Sequence, residues 1–380
     1  MKLRAFGNAV GLRGFALGRV TRAAEPDVNR RGALVYVAER AESSDVLGYA
    51  GAIMHAPVPE GWASETPAVF GVTSVDHLRD GDAVLLSPNG HVRTLFRPDS
   101  AHNVLFATER CNSYCLMCSQ PPRDVDDSHL IDVNLRLISL MTPAPNYIGI
   151  TGGEPTLLGE GLFAIVRKLK ECLPDTRTHM LTNGRAFSRP EFTREFCGLA
   201  HPNLSLGIPL YADNAPDHDY VVQAAGAFDQ TIQGMHSLAR YKQRIEIRVV
   251  LHAHTVPRLP QLCEYIYRNL PFASHVALMG LEITGFAKAN LDDLWVDPVG
   301  CGESIVEAAN MLALRGMNVS IYNYPLCLLP PRAWPFAKRS ISDWKQSYAA
   351  PCEKCSVRQD CGGFFKWAVD RYAGFVRPVA

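Results

Sequence analysis

The chain has 380 residues, and its 38 Lys and Arg balance 38 Asp and Glu, so the formal net charge is zero. This length predicts two or three domains, or one large α/β unit with additions. The charge balance argues against a dedicated nucleic-acid-binding protein, which would carry a basic excess. No run of 18 apolar residues occurs, so we expect no membrane-spanning helix and no membrane partner.

Eleven cysteines are the most informative feature of the composition. The first 26 residues are basic but lack the apolar core and cleavage site of a signal peptide, so we interpret them as an irregular leader into a first strand. A secreted disulfide scaffold would be shorter and denser in Cys. We therefore expect a reducing, cytoplasmic location, in which the thiols are buried, catalytic or metal-bound.

Residues 1–100 are predicted to form an N-terminal β-rich domain. GALVYVAE (32–39) is a short apolar run, and Asn89-Gly90 lies between two β-prone segments, which predicts a hairpin. The segment contains no Cys, no clustered carboxylates and no glycine-rich phosphate loop. We expect it to pack on the following domain or to present substrate to it.

From residue 102, short apolar runs alternate with amphipathic stretches. The predicted strands are 103–108, 147–151, 179–182, 204–210, 245–251, 276–283 and 319–322. The predicted helices lie near 129–141, 160–172, 190–199, 229–242, 258–269 and 300–315. Repeated strand–helix units predict an α/β fold with parallel strands and right-handed crossovers. In such sheets the reactive groups lie at the carboxyl ends of the strands.

Three cysteines, Cys111, Cys115 and Cys118, follow the first of these strands. Thiolates are soft ligands that suit iron–sulfur clusters or zinc. A structural zinc site closes with four ligands, whereas three thiolates on a [4Fe–4S] cluster leave one iron open. The residues alone favour a cluster, with zinc plus a remote fourth ligand, or unligated buried thiols, as alternatives.

The second strand is followed by Gly152-Gly153-Glu154-Pro155. Adjacent glycines let a ligand approach the backbone, and a glutamate at a strand end accepts hydrogen bonds from an ammonium group. Alone, the tetrapeptide is equally well explained as a tight turn ended by Pro155.

Together, in this order, the Cys-x3-Cys-x2-Cys loop and Gly-Gly-Glu-Pro resemble the two defining motifs of the radical S-adenosylmethionine (radical SAM) enzymes. The resemblance covers roughly residues 102–324 and implies a partial (β/α)6 barrel, expected at 101–324. It implies that the three cysteines hold a [4Fe–4S] cluster, and that Gly152, Gly153 and Glu154 hold the SAM amine beside Pro155. Such enzymes cleave SAM to methionine and a 5′-deoxyadenosyl radical.

Two departures from the family pattern concern SAM. The residue before the last cysteine is usually aromatic, but here it is Met117, which alters the contact with adenine. The polar groups that many relatives carry after the fourth strand have no match in residues 209–223. Arg248 is a candidate for the SAM carboxylate, with an outward-facing or salt-bridged arginine as the alternative, and Asn183 is a candidate contact in the SAM region.

The last segment, 325–380, is rich in Pro, Cys and aromatic residues and carries Cys327, Cys352, Cys355 and Cys361. Four cysteines suffice for a closed metal site, and their spacing suits zinc and iron–sulfur equally. The segment resembles the C-terminal extension of radical SAM peptide maturases, which implies an auxiliary [4Fe–4S] cluster; the long form of that extension carries seven cysteines.

The remaining four cysteines are isolated in predicted helices and are interpreted as buried thiols: Cys172, Cys197, Cys263 and Cys301.

Over most of its length the chain resembles the radical SAM maturases of the His-Xaa-Ser system (HxsC type). This rests on NVLFATERCNSYCLMCSQPPRD, YIGITGGEPTLL, IPLYADNAPDHDYVVQ and YPLCLLPPRAWPFAKRSISDW. It implies a precursor peptide with His-x-Ser repeats as substrate, an oxidative crosslink or similar modification, a second radical SAM protein as partner, and an electron donor such as flavodoxin or ferredoxin. The alternatives are a radical SAM enzyme acting on a small molecule in cofactor biosynthesis, and a non-catalytic iron–sulfur or zinc protein that binds the peptide.

Overall fold

The computed structural model describes residues 3–342 and 345–380. Met1 and Lys2, at the start of the predicted N-terminal domain, lie outside the described residues. So do Asp343 and Trp344, the last two residues of the segment YPLCLLPPRAWPFAKRSISDW. The amino-terminal part is a mixed sheet with one short helix, α1 (Val28–Arg31). Its strands are β1 (Arg4–Phe6), β2 (Asn8–Val10), β3 (Ala16–Thr21), β4 (Leu34–Ala38), β5 (Gly51–Met54), β6 (Ala68–Phe70), β7 (Ala83–Leu86) and β8 (His91–Phe96).

This first sheet closes into a ring. Its strand order is β1-β8-β7-β3-β4-β5-β6-β2, and the two end strands are joined by the single residue Gly7. A Cβ at Gly7 would lie 2.3 Å from the carbonyl oxygen of Phe70, so the close approach requires glycine. The prediction of an irregular leader was therefore wrong, because residues 4–21 contribute three strands. The predicted hairpin is confirmed: Asn89-Gly90 joins antiparallel β7 and β8, and Gly90 has φ +80°.

The second sheet contains eight strands, all parallel and adjacent in chain order. They are β9 (Asn103–Phe106), β10 (Tyr147–Thr151), β11 (Arg177–Leu181), β12 (Leu204–Pro209), β13 (Arg244–Leu251), β14 (His275–Gly280), β15 (Val319–Tyr322) and β16 (Ala337–Lys338). The predicted α/β fold class is confirmed, and the seven predicted strands correspond to β9–β15. The short eighth strand lies in the segment after residue 325, for which no strand was predicted.

Helices connect the parallel strands and cover the sheet, and one further short helix, the last in the chain, follows all the strands. They are α2 (His129–Leu140), α3 (Glu160–Cys172), α4 (Pro190–Gly198), α5 (Ala215–Val222), α6 (Ala227–Arg240), α7 (Leu259–Asn269), α8 (Phe286–Ala289), α9 (Leu291–Leu294), α10 (Gly302–Leu314) and α11 (Val369–Tyr372). The six predicted helices correspond to α2, α3, α4, α6, α7 and α10, each within two residues at either end. In α3 the buried residues Leu162, Ile165, Val166 and Leu169 form the apolar stripe that packs on the sheet.

The carboxyl-terminal segment consists mainly of 3₁₀ turns at Leu326–Leu328, Pro331–Phe336 and Ala350–Lys354. A two-stranded ladder, β17 (Gln346–Ser347) with β18 (Phe364–Phe365), is its remaining described sheet. The main apolar core runs from the parallel sheet into the first sheet, where it includes Leu17, Leu85 and Phe96.

Strand β13 shows how the sheet presents polar groups. Its odd-numbered residues from Ile245 to Leu251 are buried, whereas Glu246, Arg248 and Val250 are half-buried on the other face. Because all strands run in one direction, their carboxyl ends meet at one edge, where the loops carrying the predicted site residues converge. No helix among the described residues is long and apolar enough to cross a membrane.

Candidate functional site

A cavity of about 300 Å³ lies at the carboxyl edge of the parallel sheet. It is lined by eight residues predicted from the sequence, namely Cys111, Cys115, Cys118, Gly152, Gly153, Glu154, Asn183 and Arg248. Pro155 is not among the lining residues. It is buried at the start of the 3₁₀ turn Pro155–Leu158, for which Glu154 is the capping residue.

The chain leaving β9 is fixed by Asp127, which the sequence analysis did not single out. Its buried carboxylate accepts hydrogen bonds from the Thr108 hydroxyl at 2.8 Å and from the Glu109 backbone N–H at 2.5 Å. Arg123 then closes the loop, because its backbone N–H donates to the Glu109 carbonyl at 2.9 Å. The sequence signal for Asp127 was only its place in an acidic run before α2.

The cysteine loop is held at its middle and its end by distant backbone groups. The N–H groups of Tyr114 and Leu116 donate to the carbonyls at the end of α5, at 3.0 and 2.9 Å. The Phe286 N–H donates to the Cys118 carbonyl at 2.8 Å. The positions of the three thiols therefore depend on segments more than 100 residues further along the chain.

Both glycines of the second motif are needed for contact with the cysteine loop. The N–H of Gly153 donates to the Thr108 carbonyl at 2.7 Å. A Cβ at Gly152, whose φ is +154°, would lie 2.4 Å from that same oxygen, and a Cβ at Gly153 would lie 2.1 Å from the Arg110 carbonyl oxygen. The close approach that these glycines permit is thus between two strand ends of the protein itself, next to the cavity.

Burial controls the protonation of the three thiols. It raises the pKa of Cys111 to about 11 and that of Cys115 to about 12, and it also raises the pKa of Cys118. The thiols of the metal-free chain therefore keep their protons at neutral pH. Because metals bind thiolates, loading this site must release protons.

Glu154 is a carboxylate that lacks a cation. Its side chain is 1% exposed and accepts hydrogen bonds from Thr156 N–H and Oγ1, Thr182 Oγ1 and Asn183 N–H, at 2.6–3.0 Å. All four donors are neutral, and no lysine, arginine or histidine of the described residues forms an ion pair with Glu154. Burial raises its pKa. A cationic ligand in the cavity would balance this buried charge, as an ammonium group does.

Asn183 connects Glu154 to the cysteine loop. Its N–H donates to Glu154, and its side-chain Nδ2 donates to Asn112 Oδ1 at 2.6 Å. Arg185 supports the same loop, donating from Nη1 to the Asn112 carbonyl at 2.5 Å and to Ser113 Oγ at 3.1 Å. These contacts give Asn183 a role in holding the site together.

Arg248 lies on the half-buried face of β13 and lines the cavity. Its Nη1 donates to Glu246 Oε1 at 2.7 Å, so Arg248 both faces the cavity and is salt-bridged. Burial alone would raise the pKa of Glu246, but the hydrogen bond with His275 and the charge of Arg248 lower it to about 2. The carboxylate that holds Arg248 is therefore ionised at any physiological pH.

Two further lining residues are Met117 and Tyr211, of which only Met117 had been considered as a contact. Both are buried, and they pack together with Leu281 in one apolar cluster beside the cysteine loop. Tyr211 follows β12, where the family's usual polar groups are missing, so no motif indicated it.

The four C-terminal cysteines line a second, much smaller cavity of about 10 Å³: Cys327, Cys352, Cys355 and Cys361. Backbone N–H groups point at two of the sulfurs. Leu326 and Gly363 donate to Cys361 Sγ at 3.3 and 3.4 Å, and Val379 donates to Cys355 Sγ at 3.4 Å. Donors aimed at a sulfur stabilise its thiolate form, which is the form that binds metal.

Neither set of sulfurs meets at a single point. Within residues 3–342 and 345–380, no three Cys, His, Asp or Glu side chains are arranged to ligate one metal ion. Of the other cysteines, Cys263 and Cys301 are buried and Cys197 is half-buried. The prediction of a buried thiol was wrong for Cys172, which is exposed. The buried stripe of α3 passes from Leu169 to Leu173, so Cys172 lies on the solvent side of the helix end.

Residues 105–264 match the sequence profile described as the radical SAM superfamily. Residues 105–264 are therefore a radical SAM domain, the domain of enzymes that use a [4Fe–4S] cluster and SAM. No curated protein sequence matches the chain.

Several solved structures are similar at low identity. Streptococcus suis SuiB bound to SAM is 13% identical, with a TM-score of 0.46 over 58% of this chain and 50% of SuiB. Native anSMEcpe with bound AdoMet is 16% identical, with a TM-score of 0.44 over 58% of this chain and 63% of that one. A radical SAM methyltransferase from Sphaerobacter thermophilus is 17% identical, with a TM-score of 0.46 over 66% of this chain and 75% of that one. The matched region thus spans half the length of SuiB.

Proposed function

We propose that the protein uses SAM in this cavity to modify a ribosomally synthesised precursor peptide with His-Xaa-Ser repeats. The observation that carries the SAM part is the meeting of three thiols and a buried carboxylate without a cation in one cavity. When bound, the cluster supplies the electron that cleaves SAM to methionine and a 5′-deoxyadenosyl radical, which removes a hydrogen atom from the peptide.

Different residues of the cavity would bind the cluster and SAM. Cys111, Cys115 and Cys118 would hold the cluster as thiolates. Glu154 would accept hydrogen bonds from the SAM ammonium group, while Arg248, which lines the cavity, would hold the SAM carboxylate. Met117, Tyr211 and Leu281 form a buried apolar part of the cavity wall, and such surroundings strengthen charge–charge contacts.

The C-terminal cysteines would hold an auxiliary [4Fe–4S] cluster. Four thiols, as line this small cavity, are enough for a closed ligand set. This site adjoins the SAM cavity, because Asn323 lines the first cavity and Cys327 lines the second. Four residues of chain cannot span more than about 14 Å. An oxidative modification such as a crosslink releases an electron from the substrate radical. A second cluster near the SAM cavity would accept that electron.

The peptide substrate is supported by the sequence resemblance, which runs over most of the chain. The same resemblance supports a second radical SAM protein as partner and flavodoxin or ferredoxin as electron donor. All eleven cysteines are free thiols in the structure, which fits a reducing, cytoplasmic location.

The test is a turnover assay with the reconstituted, reduced enzyme, SAM and a synthetic peptide of His-Xaa-Ser repeats. We expect the peptide to stimulate 5′-deoxyadenosine release and to change in mass. The control peptide has the His and Ser of each repeat replaced by Ala. Deoxyadenosine release without stimulation or mass change would contradict the peptide substrate and favour a small molecule, while no release at all would contradict SAM cleavage.

A further inference from the structure

A cavity of about 310 Å³ lies at the amino edge of the parallel sheet, where the strands begin. It is formed by the turn from α4 into β12 and the turn from α6 into β13. Leu204, at the start of β12, lines this amino-edge cavity, whereas Pro209, at the end of the same strand, lines the SAM cavity. At about 3.3 Å per residue, the strand between them spans about 16 Å. The two cavities are therefore separate.

The charged side chains that line the amino-edge cavity are both cationic. They are Lys242 and Arg244, in the turn before β13, and no Asp or Glu is among the lining residues. Neither cation forms an ion pair within residues 3–342 and 345–380. Lys170 adds a positive charge beside the cavity, since its Nζ donates to the carbonyl of the lining residue Leu199 at 2.9 Å. The cavity thus has positive charge without a carboxylate to balance it.

Two hydrogen bonds tie the walls of this cavity to each other. Nη2 of Arg244 donates to the Pro202 carbonyl at 2.7 Å, and Nε2 of Gln243 donates to the Leu204 carbonyl at 2.8 Å. Each bond joins the turn before β13 to the chain entering β12. The cavity is therefore built into the fold, and a ligand would not have to assemble it.

His201 contributes a buried hydrogen-bond donor to the lining. It is 8% exposed, and its Nδ1 accepts a hydrogen bond from the Asn203 N–H at 3.2 Å. Burial lowers the pKa of His201, as do the charges of Lys170 and Arg244, so the ring is neutral and carries its hydrogen on Nε2. That Nε2 is sealed from solvent and has no hydrogen-bond partner among the described residues. A buried donor without an acceptor costs free energy, which an acceptor entering beside His201 would recover.

We propose that the amino-edge cavity binds a phosphate group, either free or carried by a small molecule. A phosphate has about two negative charges, which match Lys242 and Arg244, and oxygens that can accept hydrogen bonds from both cations and from His201. A carboxylate would bring a single charge and leave one cation unbalanced. The proposal goes beyond the proposed function and involves neither SAM nor the peptide.

The first test is calorimetric titration of the full-length, reconstituted protein with inorganic phosphate and with glycerol 3-phosphate. Saturating SAM is present, so that its own cavity is filled. We expect saturable binding of one phosphate group per chain. His201→Asn keeps an acceptor for the Asn203 N–H but removes the Nε2 donor. We expect it to raise Kd about 10- to 100-fold, the value of a hydrogen bond to a charged group.

Lys242→Gln is the second variant, and it removes an exposed charge that the fold does not need. We expect Kd to rise about 2- to 5-fold, because an exposed ion pair contributes little. Arg240→Gln is the matched control, since it removes one positive charge two residues away from an exposed residue that does not line the cavity. We expect wild-type affinity for this control. If His201→Asn does not fold, the comparison of Lys242→Gln with Arg240→Gln decides.

The second test locates the bound phosphate and needs no SAM. Cys197 is half-buried and lines the amino-edge cavity, whereas Cys172 is exposed and does not. Alkylation of both by iodoacetamide is followed by mass spectrometry, at alkaline pH because burial raises the pKa of Cys197 to about 11. We expect phosphate to slow the reaction of Cys197 and to leave that of Cys172 unchanged.

Three results would overturn the proposal. The first is the absence of saturable binding of either phosphate compound. The second is binding that neither variant weakens or that leaves Cys197 unprotected, because the phosphate then lies elsewhere. The third is tighter binding of acetate than of phosphate, which would make the ligand a carboxylate. None of these results bears on SAM cleavage, which the turnover assay tests separately.

Discussion

The two cysteine sites use the same ligand in different surroundings. In the loop after β9, three thiols lie within eight residues and line a cavity of about 300 Å³ together with Glu154 and Arg248. In the carboxyl-terminal segment, four thiols spread over residues 327–361 line a cavity of about 10 Å³. Both sites contain cysteine sulfurs, so the sulfurs alone do not distinguish them. The space and charge around the sulfurs distinguish a site that can admit a ligand from one that is closed.

The most severe test of this distinction is Cys115→Ala. We expect complete loss of 5′-deoxyadenosine formation, because two thiolates cannot hold the cluster in the open site. Iron should fall by about four atoms per chain while the C-terminal site stays loaded. Cys172→Ala, at an exposed cysteine, is the control and should behave as wild type. Retained deoxyadenosine formation by Cys115→Ala would contradict the assignment of the cysteine loop as the site of the SAM-cleaving cluster.

Cys355→Ala tests the closed site. We expect SAM cleavage to be largely retained and the modified peptide to be lost, since only the second cluster is removed. Iron and sulfide analysis should show about eight irons in the wild type and about four in this variant. Four irons and one zinc in the wild type would overturn the auxiliary-cluster proposal. If Cys115→Ala and Cys355→Ala lost SAM cleavage to the same extent, the proposed difference in function between the two sites would be wrong.

Glu154→Gln tests the carboxylate that only the open site possesses. Replacing a charged acceptor by a neutral amide should weaken SAM binding about 10- to 100-fold, with the cluster retained. Glu160→Gln is the matched control, because Glu160 is exposed on α3. Titration of SAM against both variants measures the effect, and unchanged affinity of the Glu154 variant would show that this carboxylate does not hold SAM.

Gly153→Ala has the smallest expected effect. The added methyl group would lie 2.1 Å from the Arg110 carbonyl oxygen and 3.1 Å from Cys111 Cβ, so the cysteine loop must shift. We expect a loss of about 1–3 kcal/mol in stability and reduced iron at the open site alone. Gly198→Ala is the control, since no atom lies within 4 Å of its Cβ position. Thermal unfolding and iron analysis measure these two effects. A Tm equal to that of the control would show that a methyl group at position 153 does not clash with the cysteine loop.

The sequence alone indicated most of the parallel sheet and both groups of cysteines. Strand–helix alternation is a local signal, because each apolar run and each 3.6-residue stripe is complete within a dozen residues. The prediction accordingly succeeded for β9–β15 and for six helices. It failed for the amino-terminal leader, whose strands β1 and β2 pair with residues 58 to 89 positions away. Such pairing leaves no local pattern.

The composition of the site's motifs was also readable from the sequence, because Cys111, Cys115, Cys118 and Glu154 lie close to strand ends. Only the tertiary structure decided which groups join them. Asp127 fixes the loop from its far end, Arg248 is held by Glu246 on the half-buried face of β13, and Tyr211 packs against two buried histidines. These contacts link residues on separate strands and helices. Their existence depends on how the sheet brings its carboxyl ends together, and no spacing along the chain encodes it.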